Sequence, residues 1–155
     1  MSQPQLSVAN MPQSIYHGSG RFFEEFTLAS AGQKGRSSNG GLGIWVTPDI
    51  DIASTFTEDE GFIYELLIAD KPVKKVPLQW LMKTHDEARD IEDNQGLEAA
   101  IRFYDRIRVA LIDKGFGQLW IVESDGSAST RVVLDPDDIE VLSVSRMPKP
   151  LEFKQ

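Results

Sequence analysis

Cysteine is absent from this chain of 155 residues, and histidine occurs only twice. The lack of cysteine excludes disulfide bonds, a thiol nucleophile and a thiolate metal site. The two histidines, His17 and His85, are too few for the usual zinc ligand sets. We therefore predict that the protein carries no bound metal.

Long hydrophobic runs are also missing. No apolar stretch approaches the length that crosses a bilayer, so we expect no membrane partner. The polar N-terminus lacks the charged and then apolar pattern of a secretory signal. These features favour a cytoplasmic location, or delivery into the cytosol of a host or target cell by a route that needs no such signal.

Basic residues are outnumbered. Sixteen lysines and arginines stand against 24 aspartates and glutamates, which gives a net charge of −8. A broad nucleic-acid-binding surface normally needs a positive face. We therefore expect no nucleic-acid partner.

Length and composition suit a single globular domain with a sizeable core, since 41% of the residues are hydrophobic. We predict a flexible N-terminal arm over residues 1–13, one domain over residues 14–146 and a C-terminal tail over residues 147–155.

Short apolar runs alternate with a few helical patterns, which predicts an α+β fold. We expect a flexible glycine-rich loop over residues 30–43, a polar loop over residues 90–96 and a hairpin turn over residues 123–129. The expected strands are residues 14–17, 44–46, 62–68, 73–76, 117–122, 130–134 and 139–144. The expected helices are residues 22–26, 49–56, 78–89 and a segment from Leu97 to a stop at Gly115.

Two glycine-rich stretches suggest a binding site. The first reads YHGSG at residues 16–20, and the second reads GLGIWVTP at residues 41–48. An imidazole can hydrogen-bond a ribose hydroxyl, and two aromatic rings can sandwich a flat heterocycle. We therefore predict that His17, Trp45 and Phe56 converge on one cleft. The alternatives are a structural hydrogen bond for the histidine and core packing for both aromatic residues.

These stretches resemble motifs of the ADP-ribosyltransferase superfamily, in the branch of diphtheria toxin and the poly(ADP-ribose) polymerases. That branch carries His-Gly-Ser/Thr, then Gly-x-Gly-Ile-Tyr-Phe, then a helix whose aromatic residue closes the nicotinamide pocket. The second aromatic of the family lies eleven positions after the first, and Phe56 lies eleven positions after Trp45. Tryptophan replaces the family tyrosine and keeps the stacking face, but its N–H is a donor only.

The resemblance implies a split antiparallel β-sheet with flanking helices and a cleft between its halves. It also implies NAD⁺ as substrate and a protein as target. Lys34 or Arg36 would meet the diphosphate, unless they are merely charges on a solvated loop. The implied NAD-binding residues are His17, Gly18, Ser19, Gly43, Trp45 and Phe56.

The catalytic carboxylate is the main departure from the family pattern. The family places a glutamate first in Glu-Tyr-x-Val-x-Asp, where it stabilises an oxocarbenium-like state. The matching residues 130–135 read TRVVLD, so Thr130 stands at the glutamate position. Glu123 or Asp125 on the preceding hairpin would supply the carboxylate instead. Alternatively, Thr130 belongs to a His-aromatic-Thr triad restricted to single transfers, or the site binds without catalysis.

Three functions follow from the resemblance. The first is a mono-ADP-ribosyltransferase that modifies a protein, as a bacterial effector, a toxin or a phage host-takeover factor. The second is a catalytically weak domain that binds NAD⁺ or ADP-ribose and acts through a protein partner. The third is an RNA-processing relative such as a 2′-phosphotransferase, which the acidic composition disfavours.

Overall fold

The computed structural model describes residues 14–20, 22–28, 38–57 and 61–147. The predicted arm, Lys34, Arg36 and residues 148–155 of the predicted tail lie outside the described residues. Within the described ranges the chain is a mixed α+β structure, which confirms the predicted class.

The described strands form two sheets, and helices pack against each of them. The strands are β1 Ile15–Ser19, β2 Ile44–Val46, β3 Gly61–Ile68, β4 Val73–Pro77, β5 Gln118–Val122, β6 Thr130–Val133 and β7 Ile139–Met147. The α-helices are α1 Ile50–Ser54, α2 Leu78–Gln95 and α3 Leu97–Asp113, and short 3-10 helices span Ser38–Leu42 and Pro136–Asp138. None of these helices combines the length and the apolar character that a bilayer span requires.

The first sheet has the order β1-β3-β7 and is antiparallel, and the second sheet has the order β2-β6-β5-β4. In the second sheet β4 pairs with β5 in parallel, whereas its other two pairings are antiparallel. The expectation of antiparallel pairing is therefore wrong for this strand pair. The physical reason is the connection, because helices α2 and α3 return the chain so that β5 starts beside the start of β4.

Side chains of the second sheet alternate between two hydrophobic clusters. Ile44, Val46 and Val133 share one cluster with residues of the first sheet, which we call the inter-sheet cluster. Leu119 and Val132 belong to another cluster that includes residues of α2 and α3, which we call the helix-side cluster. Since neighbouring residues of a strand point to opposite faces, the second sheet is buried on both faces.

Helix α2 is longer than the sequence suggests. The predicted loop over residues 90–96 is wrong, because the helix continues to Gln95 and ends at Gly96, whose φ is 97°. Most side chains in this last stretch are exposed, so their polarity reflects a solvated helix face rather than a loop. Gly96 then connects the helix directly to α3.

The helix predicted for residues 22–26 is also wrong. The chain bends at Glu24 and Glu25, and the aromatic residues pack instead against β3. Phe23 stacks on Tyr64 with ring centroids 4.6 Å apart. The Tyr64 hydroxyl accepts from the Phe23 backbone N–H at 2.8 Å and donates to its carbonyl oxygen at 3.2 Å. The Tyr64 hydroxyl therefore pairs with the backbone N–H and carbonyl groups of Phe23, which in a helix would pair with other backbone groups.

Gly18 lies at the contact between β1 and helix α1. A Cβ atom at this position would lie 1.8 Å from the carbonyl oxygen of Ala53. Even alanine cannot fit without a shift of backbone, because the obstructing atom is itself a main-chain atom. The absence of a side chain at Gly18 is therefore required by the fold.

We expect Gly18→Ala to lower the free energy of unfolding by about 1–3 kcal/mol, the range typical of overpacked sites. Urea denaturation followed by circular dichroism measures the change. Ser145→Ala, at an exposed position of β7, is the control and should stay close to the wild type. A Gly18→Ala midpoint equal to that of the wild type would show that α1 does not constrain this position.

Candidate functional site

His17 lies on β1 within a group of aromatic rings. Its ring centroid is 5.1 Å from that of Phe26, 6.0 Å from that of Phe23 and 6.1 Å from that of Tyr64. Its Nδ1 atom lies 2.7 Å from the backbone carbonyl oxygen of Trp45. A carbonyl can only accept a hydrogen bond, so Nδ1 carries a proton, and in the neutral ring Nε2 is an acceptor.

Burial lowers the pKa of His17, and the hydrogen bond to the Trp45 carbonyl opposes this shift without cancelling it. The imidazole is therefore neutral at pH 7. A neutral ring with a fixed Nδ1–H can accept a hydrogen bond from a hydroxyl at Nε2, which is the role that the sequence predicts for it.

Trp45 directs its ring to the opposite side of β2 from Ile44 and Val46. The ring packs against the helix-side cluster, and its centroid is 6.2 Å from that of His85. The indole Nε1 donates to the backbone oxygen of Asn39 at 3.0 Å. The backbone of Trp45 thus meets His17, while its ring lies elsewhere.

Phe56 follows α1 and is 61% exposed. It belongs to neither of the two hydrophobic clusters formed by the described residues. The sequence places His17, Trp45 and Phe56 in one cleft, whereas the structure gives their three rings three different surroundings. Phe56 is nevertheless accessible to a ligand.

Gly43 and Ser19, one from each motif, lie at contacts between strands. Gly43 has a φ of 147°, and a Cβ atom there would lie 2.4 Å from the Val133 carbonyl oxygen. Ser19 ends β1 opposite Phe62 and is partly exposed. Gly18 and Gly43 therefore have structural roles that are sufficient to explain them.

The strands that carry the motifs are neighbours. Tyr16 and Thr47 exchange two backbone hydrogen bonds of 2.8 and 3.0 Å, which join β1 to β2. Strand β2 in turn pairs with β6, with Trp45 opposite Val132. Thr130 lies two residues before Val132 and therefore shares the face of Trp45. The three motif segments, distant in sequence, are adjacent in space.

Thr130 and Glu123 lie near the same end of the β5–β6 hairpin. Thr130 pairs with Ile121, and Glu123 is the first residue after β5. The Glu123 side chain is exposed, and its Oε2 atom is 3.5 Å from the hydroxyl of Ser127. The structure thus confirms the predicted hairpin turn and leaves the Glu123 carboxylate accessible.

The Asp125 side chain stabilises the hairpin turn. Its Oδ1 atom accepts from the backbone N–H of Ser127 at 2.8 Å. Hydrogen bonds from Ser127 lower the pKa of Asp125. Of the two hairpin acids, Glu123 is therefore the one whose carboxylate is less engaged in holding the loop.

The sequence does not reveal a histidine–tyrosine pair beside Trp45. Nδ1 of His85 on α2 is hydrogen-bonded to the hydroxyl of Tyr104 on α3. Tyr104 is 1% exposed, and burial raises its pKa to about 12, so the hydroxyl remains protonated and donates. The pKa of His85 is lowered by burial and by the charge of Arg89. Tyr104 packs in the helix-side cluster, and its position along α3 does not by itself identify His85 as its partner.

The described residues contain no group of three or more histidine, aspartate or glutamate side chains placed to hold a metal ion. Comparison of the chain with protein-family models, with curated proteins and with solved structures finds no match. Motifs and side-chain geometry are therefore the basis for assigning a function.

The lowered pKa of His17 predicts a pH-dependent stability. A histidine with a lowered folded-state pKa contributes stability that is present above its unfolded pKa of 6.5 and is lost as the pH falls towards the folded value. The slope is at most about 1.4 kcal/mol per pH unit. Urea unfolding of the wild type and of His17→Gln between about pH 7.5 and 5 should show a shallower slope in the variant.

His85→Gln is the matched comparison, because its pKa is lowered in the same direction by a separate environment. Acidic groups contribute equally to all three proteins, so only the differences between the curves are interpreted. Parallel curves for the wild type and His17→Gln would contradict the burial of a neutral His17.

Proposed function

We propose that this chain is a mono-ADP-ribosyltransferase that uses NAD⁺ as its substrate and modifies a protein target. The observation that carries the proposal is the adjacency of β1, β2 and β6, because each contains one of the segments that resemble the family motifs. The resemblance rests on the order and spacing of these segments along the chain. Adjacent strands are what a shared site at these segments requires.

The chemistry is cleavage of the bond between nicotinamide and C1′ of the ribose. Nicotinamide leaves with the bonding electron pair, positive charge develops on the ribose, and a nucleophile of the target forms the new bond to C1′. His17 contributes the Nε2 acceptor for a ribose hydroxyl, held in place by its Nδ1–H bond to the Trp45 carbonyl. Phe56 offers an accessible ring on which the nicotinamide stacks.

Glu123 is the proposed source of negative charge. It lies two residues beyond Ile121, which pairs with Thr130 at the family glutamate position. Paired strands are about 4.8 Å apart, so a glutamate side chain at the end of one strand reaches the end of the other. Its carboxylate stabilises the developing charge of the ribose.

A second candidate is a domain that binds NAD⁺ or ADP-ribose without turnover and acts through a protein partner. The environment of Glu123 favours this second function. The Glu123 carboxylate is exposed, and within the described residues its one side-chain contact is to the Ser127 hydroxyl at 3.5 Å. Electrostatic catalysis depends on groups that are fixed before the reaction. Either function suits an effector, a toxin or a phage host-takeover factor acting in a cytosol.

Labelled NAD⁺ incubated with the protein and a cell lysate tests the proposal. We expect a labelled protein band and release of nicotinamide from the wild type. Glu123→Gln should reduce both by about a hundredfold, since it removes a charge while keeping the side-chain size. Asp125→Asn on the same hairpin is the control and should retain transfer. Wild-type activity in Glu123→Gln would show that Glu123 is not the catalyst.

Thr130→Glu restores the family residue at its own position. We expect it to preserve or raise the rate of NAD⁺ cleavage, measured as released nicotinamide under single-turnover conditions. Thermal stabilisation by NAD⁺ is measured alongside to separate binding from turnover. An inert wild type that is stabilised by NAD⁺, together with an active Thr130→Glu, would support the binding-only function over the transferase.

A further inference from the structure

A hydrogen bond between two side chains connects the two long helices. The hydroxyl of Tyr104 on α3 donates to Nδ1 of His85 on α2, and both residues lie near the middle of their helices. Neither residue belongs to the segments that resemble the family motifs. The pair therefore has no part in the proposed function and needs an explanation of its own.

Tyr104 is fixed in position. It is 1% exposed and packs in the helix-side cluster. Because burial raises its pKa to about 12, the hydroxyl keeps its proton throughout the neutral and mildly acidic range. Within the described part of the chain, Nδ1 of His85 accepts a hydrogen bond from this hydroxyl, and no second acceptor is found for it.

His85 lies nearer to solvent than Tyr104. Its side chain is partly exposed, and its ring centroid is 6.2 Å from that of Trp45, with the two ring planes tilted by 33°. Because Nδ1 accepts from Tyr104, the proton of the neutral ring is on Nε2. A partly exposed side chain on a helix can turn outward into water, whereas the enclosed side chain of Tyr104 cannot.

Protonation of His85 is incompatible with this hydrogen bond. A protonated imidazole has an N–H group at both nitrogens and accepts no hydrogen bond. Nδ1 could then only donate to the Tyr104 oxygen, and the buried proton of the Tyr104 hydroxyl would have no acceptor among the described residues. A buried donor without a partner is costly, so the contact between the helices is stable only while His85 is neutral.

The charged groups around His85 lie on its own helix. Burial lowers the pKa of His85 most, the positive charge of Arg89 lowers it further, and the negative charge of Asp86 opposes both. From α3, Tyr104 is the titratable group that faces the ring. Strand β2 and the 3-10 helix that packs on α3 bring no titratable side chain. His85 is therefore neutral at pH 7.

We propose that the hydrogen bond between His85 and Tyr104 is a pH-sensitive switch between α2 and α3, formed while His85 is neutral and broken when His85 takes up a proton. In the broken state the His85 side chain turns outward into water. The stability that the bond contributes is present above the ordinary histidine pKa of 6.5 and is lost as the pH falls through the lowered pKa of His85.

The switch lies beside the strand that carries the candidate site. The ring of Trp45 is next to His85, while the backbone carbonyl of Trp45 accepts from Nδ1 of His17. Breaking the bond therefore removes a neighbour of the Trp45 ring on the helix side of β2. This inference goes beyond the proposed function and does not depend on turnover of NAD⁺, because it concerns the contact between two helices.

Titration of the two histidines by NMR tests the direction of the hydrogen bond. The Cε1–H resonances are followed from about pH 8 to 5, and the resonance that remains in His85→Gln belongs to His17. We expect Tyr104→Phe to raise the His85 midpoint by about 0.5–1 pH unit, because it removes a donor that favours the neutral ring. Tyr16→Phe on β1 is the matched control and should leave the His85 midpoint unchanged.

Hydrogen exchange tests whether the bond holds the helices together. Protection factors of the α2 and α3 amides, which correct for the intrinsic pH dependence of exchange, are measured from about pH 7.5 to 5. In the wild type we expect protection around residues 85 and 104 to fall by up to about tenfold per pH unit below the ordinary histidine pKa of 6.5. His85→Gln should show no such fall, because its neutral amide oxygen can still accept from Tyr104. His17→Gln removes the other histidine and should keep the fall.

Two kinds of result would overturn the inference. Protection that does not fall in the wild type, or that falls equally in His85→Gln, would show that His85 does not control the contact between the helices. A His85 midpoint that is unchanged or lower in Tyr104→Phe would show that Tyr104 does not donate to the neutral ring. If Tyr104→Phe does not fold, the comparison of the wild type with His85→Gln still decides the outcome.

Discussion

The pairing of β2 with β6 is the constraint on which the rest of the structure depends. It places Trp45 opposite Val132 and Val46 opposite Arg131, and so assigns each residue to one of two buried faces. A shift of the β2–β6 pairing by one residue would turn each side chain of β2 to the opposite face of the sheet. Because both faces are buried, neither set of hydrophobic side chains would become exposed to water. The close approach of Gly43 to the Val133 carbonyl oxygen helps to fix this register, because only glycine fits there. The orientations of the Trp45 and Arg131 side chains both follow from it.

The sequence predicts the strands well, since short apolar runs bounded by glycine, proline and aspartate have few alternatives. It fails at residues 90–95, where a solvated helix and a loop have the same polar composition. It fails again at residues 22–26, where aromatic residues at helical spacing pack through Tyr64 instead. The parallel β4–β5 pair also escapes prediction, because pairing direction depends on the path of α2 and α3 rather than on local pattern.

For the candidate site, the sequence identifies the segments but not the orientations of their side chains. His17 and Trp45 do meet, yet through an imidazole and a backbone carbonyl rather than through two rings around a ligand. The spacing of Trp45 along the chain does not show which face of β2 carries its indole. That face is fixed only once β6 is known to be the partner strand. The pair of His85 and Tyr104, and the stack of Arg131 on Trp120, join residues of different elements. Such contacts are visible only in three dimensions.

The helical hairpin of α2 and α3 has a consequence for how the chain folds. It lies between β4 and β5, which are parallel neighbours, so this pairing closes a loop that contains both helices. Contacts within and between the two helices are local, whereas the contact of β4 with β5 is not, and closing a longer loop costs more chain entropy. We therefore expect the hairpin to form early and β4 to join the edge of its sheet late. Because the helical hairpin brings β4 close to β5, it shortens the time for which the edge of β5 is open to pairing with other chains.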